Sequence, residues 1–363
     1  MKVYFLVFFL ALMMSVVLPA KTDKQWRWKL FFTFLPLFLF AALRVNFGND
    51  YSAYELFFDE AHHGSKFLNF VYEEKMRDEI GYQYLCYIMP SYRSMLVLNA
   101  FLLCLALAVF IYKNIPKKYL WLAILLVFLN AEKNIYGNLV GMRNGFVVTG
   151  FLLGSVLIQQ RRIVLFALLT ALLSTIHTAA LLFMPLAYIV GRNTKITRVE
   201  ILIWIGAIVV LLVFSVSGLM ELAAPIISRY FDRYETYLED MTAHRGFLLT
   251  VASLALATLI FILYNKRKNA LTKDQNSLIR LGLLYVVSAF LGSLAVRANY
   301  FYDMFFIGTV VVLFANCKHD TKGILLATLA VLMSFYSLLL WMTCKWVAGN
   351  PLYYVYTSII GSW

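Results

Sequence analysis

Charge is scarce in this sequence. Asp, Glu, Lys and Arg supply 14% of 363 residues, while apolar types supply 62%; a soluble domain carries about 25% and about 45–50%. A spanning helix needs roughly 20 residues, so the apolar segments leave room for nothing larger than a loop outside the membrane. A water-soluble enzyme and a nucleic-acid module are both excluded, whatever the net charge of +13 suggests. Acidic residues are the scarcest, 19 against 32 Lys and Arg. Cysteine is rare too: Cys86, Cys104, Cys317 and Cys344 show no CxxC and no metal spacing, which reads as packing and not as a disulfide frame or zinc site. There is no internal repeat and no low-complexity run.

What is present is a train of apolar runs near residues 3–19, 29–43, 94–112, 119–131, 139–158, 163–176, 178–191, 199–216, 247–264, 278–295, 299–316 and 323–341. They predict an all-α polytopic bundle of about twelve spans forming a single membrane domain, residues 1–363. The 163–191 pair reads as two helices broken near His177, which keeps the charged loops on alternating sides. With the N-terminus outside, the inner connections hold more than half of the basic residues, including Lys21, Lys24, Arg27, Lys113, Lys117, Arg161 and Lys266. The positive-inside rule selects that orientation. Cleavage of residues 2–18 as a signal would put Lys21, Lys24 and Arg27 outside, so the segment reads as an uncleaved first span.

The outer face then carries most of the acids, in a segment from Arg44 to Arg93 (44–93) and a stretch at 217–246, and it also has a C-terminal tail, 342–363. Within 217–246, Ile227, Tyr230, Phe231, Tyr234 and Leu238 recur at helical spacing opposite charged residues, the pattern of an amphipathic helix on a membrane surface. It reads as an interfacial connector or as a lid.

Ionisable residues at membrane depth are costly and point to function. Arg44 ends the second span, Arg143 enters the fifth between Gly141 and Gly145, His177 interrupts the 163–191 pair, and Arg297 lies between the tenth and eleventh. All four fall at outer ends of their spans. Guanidinium stays charged and grips phosphate oxygens through parallel donors, so three arginines at one depth suit a lipid diphosphate. Snorkelling to headgroups explains any one of them alone, and His177 reads equally as a satisfied core histidine.

The outer segment opens Arg44-Val-Asn-Phe-Gly48-Asn49-Asp50-Tyr51-Ser-Ala-Tyr54, where Gly-Asn-Asp predicts a turn holding Asp50 near the span end. Tyr51 and Tyr54 share a face if a helix begins there. Glu79-Ile-Gly81-Tyr82 opens an apolar stretch that stops at Pro90, too short to span, so a re-entrant or interfacial helix is expected, with Glu79 favoured at its N-terminus by the dipole. Asp59-Glu60-Ala-His62-His63 brings two acids and two imidazoles together, but neighbours on a helix point apart, so one metal centre is not expected.

Taken in order, Arg44…Gly48-Asn49-Asp50-Tyr51…Tyr54, Glu79-Ile-Gly81-Tyr82, Met142-Arg143-Asn144, His177-Thr-Ala-Ala and Arg297-Ala-Asn-Tyr300-Phe301 resemble the motifs of the EpsG family of Wzy-like polymerases of exopolysaccharide, capsule and O-antigen. Asn49 stands where Thr is usual and Asn144 where Gln is usual. The resemblance implies a metal-independent glycosyltransferase-type polymerase without cofactor, in the bacterial cytoplasmic membrane, with its active site on the outer face. It also implies a fold related to lipid-dependent glycosyltransferases. The substrate would be a polyprenyl-diphosphate-linked oligosaccharide, with a chain-length regulator and a flippase as pathway partners. Arg143, Arg297 and Arg44 would bind the diphosphate, and Asp50, Glu79 and His177 compete for the general base. Tyr51, Tyr54, Tyr82 and Tyr300 would stack on sugars or line a lipid groove. A lipid-linked oligosaccharide flippase, a transferase of single sugars from a lipid monophosphate, and an acyltransferase using His177 remain alternatives.

Overall fold

The computed structural model describes residues 2–63, 79–216, 247–288, 294–343, 357–358 and 361–362. A helix lies on each of the twelve apolar runs. In chain order these are α1 (Lys2–Val17), α2 (Asp23–Leu43), the outer-segment helices α3 (Tyr51–His63) and α4 (Ile80–Ile88), α5 (Tyr92–Asn114), α6 (Leu120–Leu129), α7 (Gly137–Val140), α8 (Met142–Gln159), α9 (Ile163–Ser174), α10 (Ala180–Val190), α11 (Arg198–Val216), α12 (Phe247–Arg267), α13 (Lys273–Ser288), α14 (Leu294–Asn316) and α15 (Thr321–Thr343). The chain is thus a helical multi-pass membrane protein. The expected amphipathic segment at 217–246 lies outside the described residues, as does most of the 342–363 tail.

Among the described residues five helices are long and apolar enough to cross a bilayer, α2, α5, α8, the Ala298–Asn316 part of α14, and α15; a bent pair raises this to six. α1, α9 and α10 are apolar but shorter, at 16, 12 and 11 residues. The bent pair covers 117–129 and 132–140 and turns by 78° at the break. There α6 gives way to a π-helical turn, Glu132–Tyr136. The freed carbonyls find asparagine amides: Asn134 Nδ2 donates to Asn130 O at 3.4 Å, and Asn138 Nδ2 to Lys133 O at 3.0 Å and Asn134 O at 3.2 Å. Internal partners of this kind are what make a broken helix tolerable in lipid.

Helix starts follow from local chemistry. α2 begins six residues ahead of its apolar run because Thr22 and Gln25 form a reciprocal capping box, the Gln25 amide donating to Thr22 Oγ1 at 3.1 Å and the Thr22 amide to Gln25 Oε1 at 3.2 Å. Ser91 and Ser94 start α5 in the same way. The expected break near His177 is present, between α9 and α10.

The described chain forms two compact units, Met1–Tyr188 with Ser334–Trp363, and Ile189–Met333. In the first, Tyr4 of α1 donates from its hydroxyl to the carbonyl of Phe128, and the buried Lys29 of α2 donates to Leu18 O at 2.7 Å, closing the C-terminal end of α1. Two-residue strands add a feature no periodicity could announce: Arg44–Val45 pairs antiparallel with Thr357–Ser358, which pairs with Gly361–Ser362. Part of the C-terminal tail is therefore tied to the end of α2. In the second unit the buried Arg280 of α13 secures the 192–195 loop, donating to Arg192 O at 2.7 Å and Lys195 O at 3.0 Å and pairing with Glu200 at 2.9 Å.

The turn after α2 depends on glycine twice over. Gly48 has φ +91°, and a Cβ there would stand 2.3 Å from Val140 Cγ2. Gly48→Ala is expected to cost about 1–3 kcal/mol, read as a lowered thermal midpoint of the purified protein, with α3 the first element to lose protection from hydrogen exchange.

Candidate active site

The core beneath the site comes from α3, α4, α5 and α8. Tyr51, Tyr54 and Phe58 of α3 pack with Tyr82 and Cys86 of α4, Tyr92 and Met95 of α5, and Met142 and Phe146 of α8. α3 begins at Tyr51, so Tyr51 and Tyr54 do share a face and both are buried. Burial pushes the Cys86 thiol up to about 12, which leaves it an inert packing group. α4 spans nine residues and exposes one side, including Ile80, Tyr84 and Ile88, while Tyr82, Gln83 and Cys86 face inward. At nine residues it is too short to cross a bilayer, as its length predicted.

α4 is seated by its first turn. The Gly81 amide donates to Thr175 O at 2.8 Å in the break between α9 and α10. A Cβ on Gly81 would lie 2.1 Å from Thr175 Oγ1, so only glycine lets this backbone approach that closely. The contact carries Glu79, two residues upstream, to His177, two residues downstream of Thr175.

Glu79 is 1% exposed, and its side chain caps nothing. Glu79 stands at the N-cap of α4 as expected, and its carboxylate bonds the Arg143 and His177 side chains in place of a backbone amide. One carboxylate oxygen takes Arg143 Nη1 and the other lies 2.6 Å from His177 Nδ1. Burial alone would raise this carboxyl, but the His177 hydrogen bond and the Arg143 charge outweigh it and hold Glu79 below the ordinary range. An ionised carboxylate only accepts, so His177 Nδ1 is the donor in this pair, and Nε2 is the ring nitrogen that Glu79 does not engage. Arg143 Nε also donates to the Tyr54 hydroxyl at 3.4 Å, and the guanidinium lies 5.8 Å from the Tyr54 ring centre. Burial raises the Tyr54 phenol, which stays protonated. The side chains of Arg143 and His177 keep 25% and 13% of their surface, against 2% for Glu79; these two can meet a ligand and the carboxylate cannot.

Four of the residues read from sequence, Tyr54, Glu79, Arg143 and His177, thus form one cluster. Tyr82 supports it, its ring 5.9 Å from that of Tyr54 at 70°. Tyr51 faces the core, edge-on to Tyr92 at 5.2 Å and with its carbonyl accepting from the Tyr92 hydroxyl at 3.0 Å. Asp50 is exposed in the turn before α3. Arg44 is 1% exposed and donates to Ala41 O at 2.6 Å, Leu139 O at 3.0 Å and Asn99 Oδ1 at 3.4 Å, while its own carbonyl accepts from Arg93 at 2.6 Å. It ties α2 to α5 and α7. Arg297 stands in the first turn of α14, in the second unit, with its side chain outside the described residues; half-buried Tyr300 follows one turn later. Among the described residues no three His, Cys, Asp or Glu side chains gather as a metal site, and His62 is stacked on Phe58 at 5.3 Å.

Sequence reasoning passed over Thr175, the anchor of α4, and the Asn99 partner of Arg44, because neither belongs to a motif. It also passed over Asp303, a fully buried acid inside α14, although an acid within an apolar run was a legible signal.

The lowered Glu79 carboxyl predicts a pH dependence. Its contribution is complete above the ordinary carboxyl value of about 4.3 and is lost as pH falls through the lower folded value. Glu79→Gln, which removes the carboxylate partner of Arg143, is expected to cost about 3 kcal/mol near neutrality. In thermal melts the gap between the two proteins narrows as the pH drops below 4.

A sequence model of the EpsG family matches residues 27–358, nearly the whole chain. No curated protein and no solved structure matches. The five motifs and this match agree, and the chain belongs to the EpsG family.

Proposed function

We propose that the protein is a polysaccharide polymerase that joins polyprenyl-diphosphate-linked oligosaccharide repeats at the outer face of the bacterial cytoplasmic membrane. The observation that carries the reading is the buried Glu79 carboxylate bridging Arg143 and His177, in a chain of the EpsG family. In this reading the three candidate bases are no longer equal. Glu79 is enclosed and both its oxygens are engaged, so it orients; His177 offers the open Nε2 and takes the proton.

The step is a single displacement. An acceptor sugar hydroxyl attacks C1 of the reducing-end sugar on a second carrier, its proton passes to His177 Nε2, and the bond from C1 to the diphosphate oxygen breaks. The leaving diphosphate gains charge as that bond lengthens, and the partly exposed Arg143 guanidinium stabilises it through its positive charge. Fixed by two partners, Arg143 needs little reorganisation at the moment of reaction. Tyr54 positions it. Asp50, exposed at the start of α3, is assigned to the acceptor sugar. For Arg297, in the second unit, diphosphate binding rests on its family motif alone. Arg44, committed to backbone carbonyls, is a framework residue and not a ligand.

The test is polymer length in cells carrying single substitutions, with expression checked. His177→Ala is expected to lower the rate about 10²–10⁴-fold and Arg143→Ala about 10²–10³-fold, with single-repeat glycolipid accumulating. Arg143→Lys keeps the charge but not the fork, so short chains are expected. Glu79→Gln, as a positioning change, lowers kcat more than it raises KM. Full-length polymer from well-expressed His177→Ala removes the base assignment. Loss of repeats from the outer face with normal polymerase activity in vitro favours a flippase, and products one sugar longer favour a transferase.

A further inference from the structure

Away from the cluster, α2 and α5 leave a groove of about 610 Å³ between them, with walls from Leu30, Phe34, Phe38, Phe101, Leu105 and Ala108. It stands open along one side, where Phe31, Phe101 and Leu105 are 52%, 50% and 38% exposed. Its volume falls in the range of small-ligand sites, and its lining is almost wholly hydrocarbon. From Phe38 to Arg27 it runs eleven residues of α2, about 16 Å at the helical rise, close to half of a hydrocarbon core about 30 Å thick. It therefore has the depth of one leaflet.

One end is not apolar. Arg27 and Tyr112 close the groove there. Arg27 pairs with Asp23 at 2.8 Å, but both side chains are more than half exposed, 71% and 53%, so the pair is weak. The other oxygen of the same Asp23 carboxylate accepts from the Tyr112 hydroxyl at 2.7 Å, and Lys117 acts on that carboxylate as well. The end thus carries a positive excess with open guanidinium donors. Trp28, half exposed and packed on Phe31 and Phe32, marks the headgroup depth at this end, where indole rings gather.

We infer that this groove is a site for one anionic glycerophospholipid, an acyl chain lying between α2 and α5 and the headgroup phosphate on Arg27. The binding is noncovalent and independent of the polymerase reading.

The test uses the full chain in nanodiscs containing phosphatidylglycerol with a diazirine at the acyl terminus, with the labelled phosphatidylcholine as control. Crosslinks are expected to concentrate within 30–38 and 101–109 and to favour the anionic lipid. Ala108→Trp, which fills the groove, is expected to abolish labelling there and leave other lipid-facing helices labelled. Arg27→Gln, an exposed substitution that does not threaten folding, reduces the anionic preference about fivefold. Equal labelling by both lipids, unchanged in either variant, means ordinary annular lipid and overturns the site. Displacement of the probe by a long-chain polyisoprenyl phosphate but not by unlabelled phosphatidylglycerol overturns the occupant. Because Ala108 and Arg27 lie outside the catalytic cluster, loss of labelling with polymer length intact separates this site from the proposed activity.

Discussion

A carboxylate buried in a chain that lives in lipid persists only if cationic neighbours repay its lost hydration. Glu79 is that carboxylate, and three segments of the first unit are arranged around repaying it. Arg143 enters from the start of α8, His177 from the gap between two short helices, and α4 is held in place by a glycine contact so that the acid reaches both. Three separated segments are fixed by one group. The same low dielectric that makes the ion cluster costly to break makes its geometry rigid, which is the property a site needs when charge develops on a leaving group.

Breaks in helices do the positioning. Where α9 stops and α10 begins, the backbone presents the Thr175 carbonyl to the Gly81 amide and places His177 beside the acid. Between α6 and α7 a π turn and a row of asparagines let the chain bend by 78° before α8 sets off with Arg143 in its first turn. Irregular backbone at membrane depth is affordable only where protein groups satisfy it, and here those stretches lead directly into the cluster. Arg44 belongs to the same economy of carbonyls, since its guanidinium serves the ends of α2 and α7.

Much of this was legible beforehand. Twelve apolar runs each became a helix, because a continuous hydrocarbon surface has few other solutions. Tyr51 and Tyr54, three apart, marked a helical face, and the residues flagged as costly at membrane depth included Arg143 and His177, which meet. The sequence could not separate a run that crosses from one that breaks. The difference at 129–137 lies in which amides reach which carbonyls, not in hydropathy. Nor could it tell Arg143 from Arg44: both are arginines at span ends, and only the structure shows that the first bonds a carboxylate and the second backbone oxygens and the Asn99 amide oxygen.

By itself the sequence determined the helical membrane class, the placement of nearly every helix and the family, because these follow from composition and from short motifs in fixed order. Tertiary structure alone decided that Glu79 is enclosed and shared, that it is the Nδ1 of His177 that meets it, and that residues 357–358 return to pair with Arg44–Val45. Those outcomes depend on contacts between segments up to hundreds of residues apart, whose energies come from desolvation and hydrogen-bond geometry and leave no local periodicity to read.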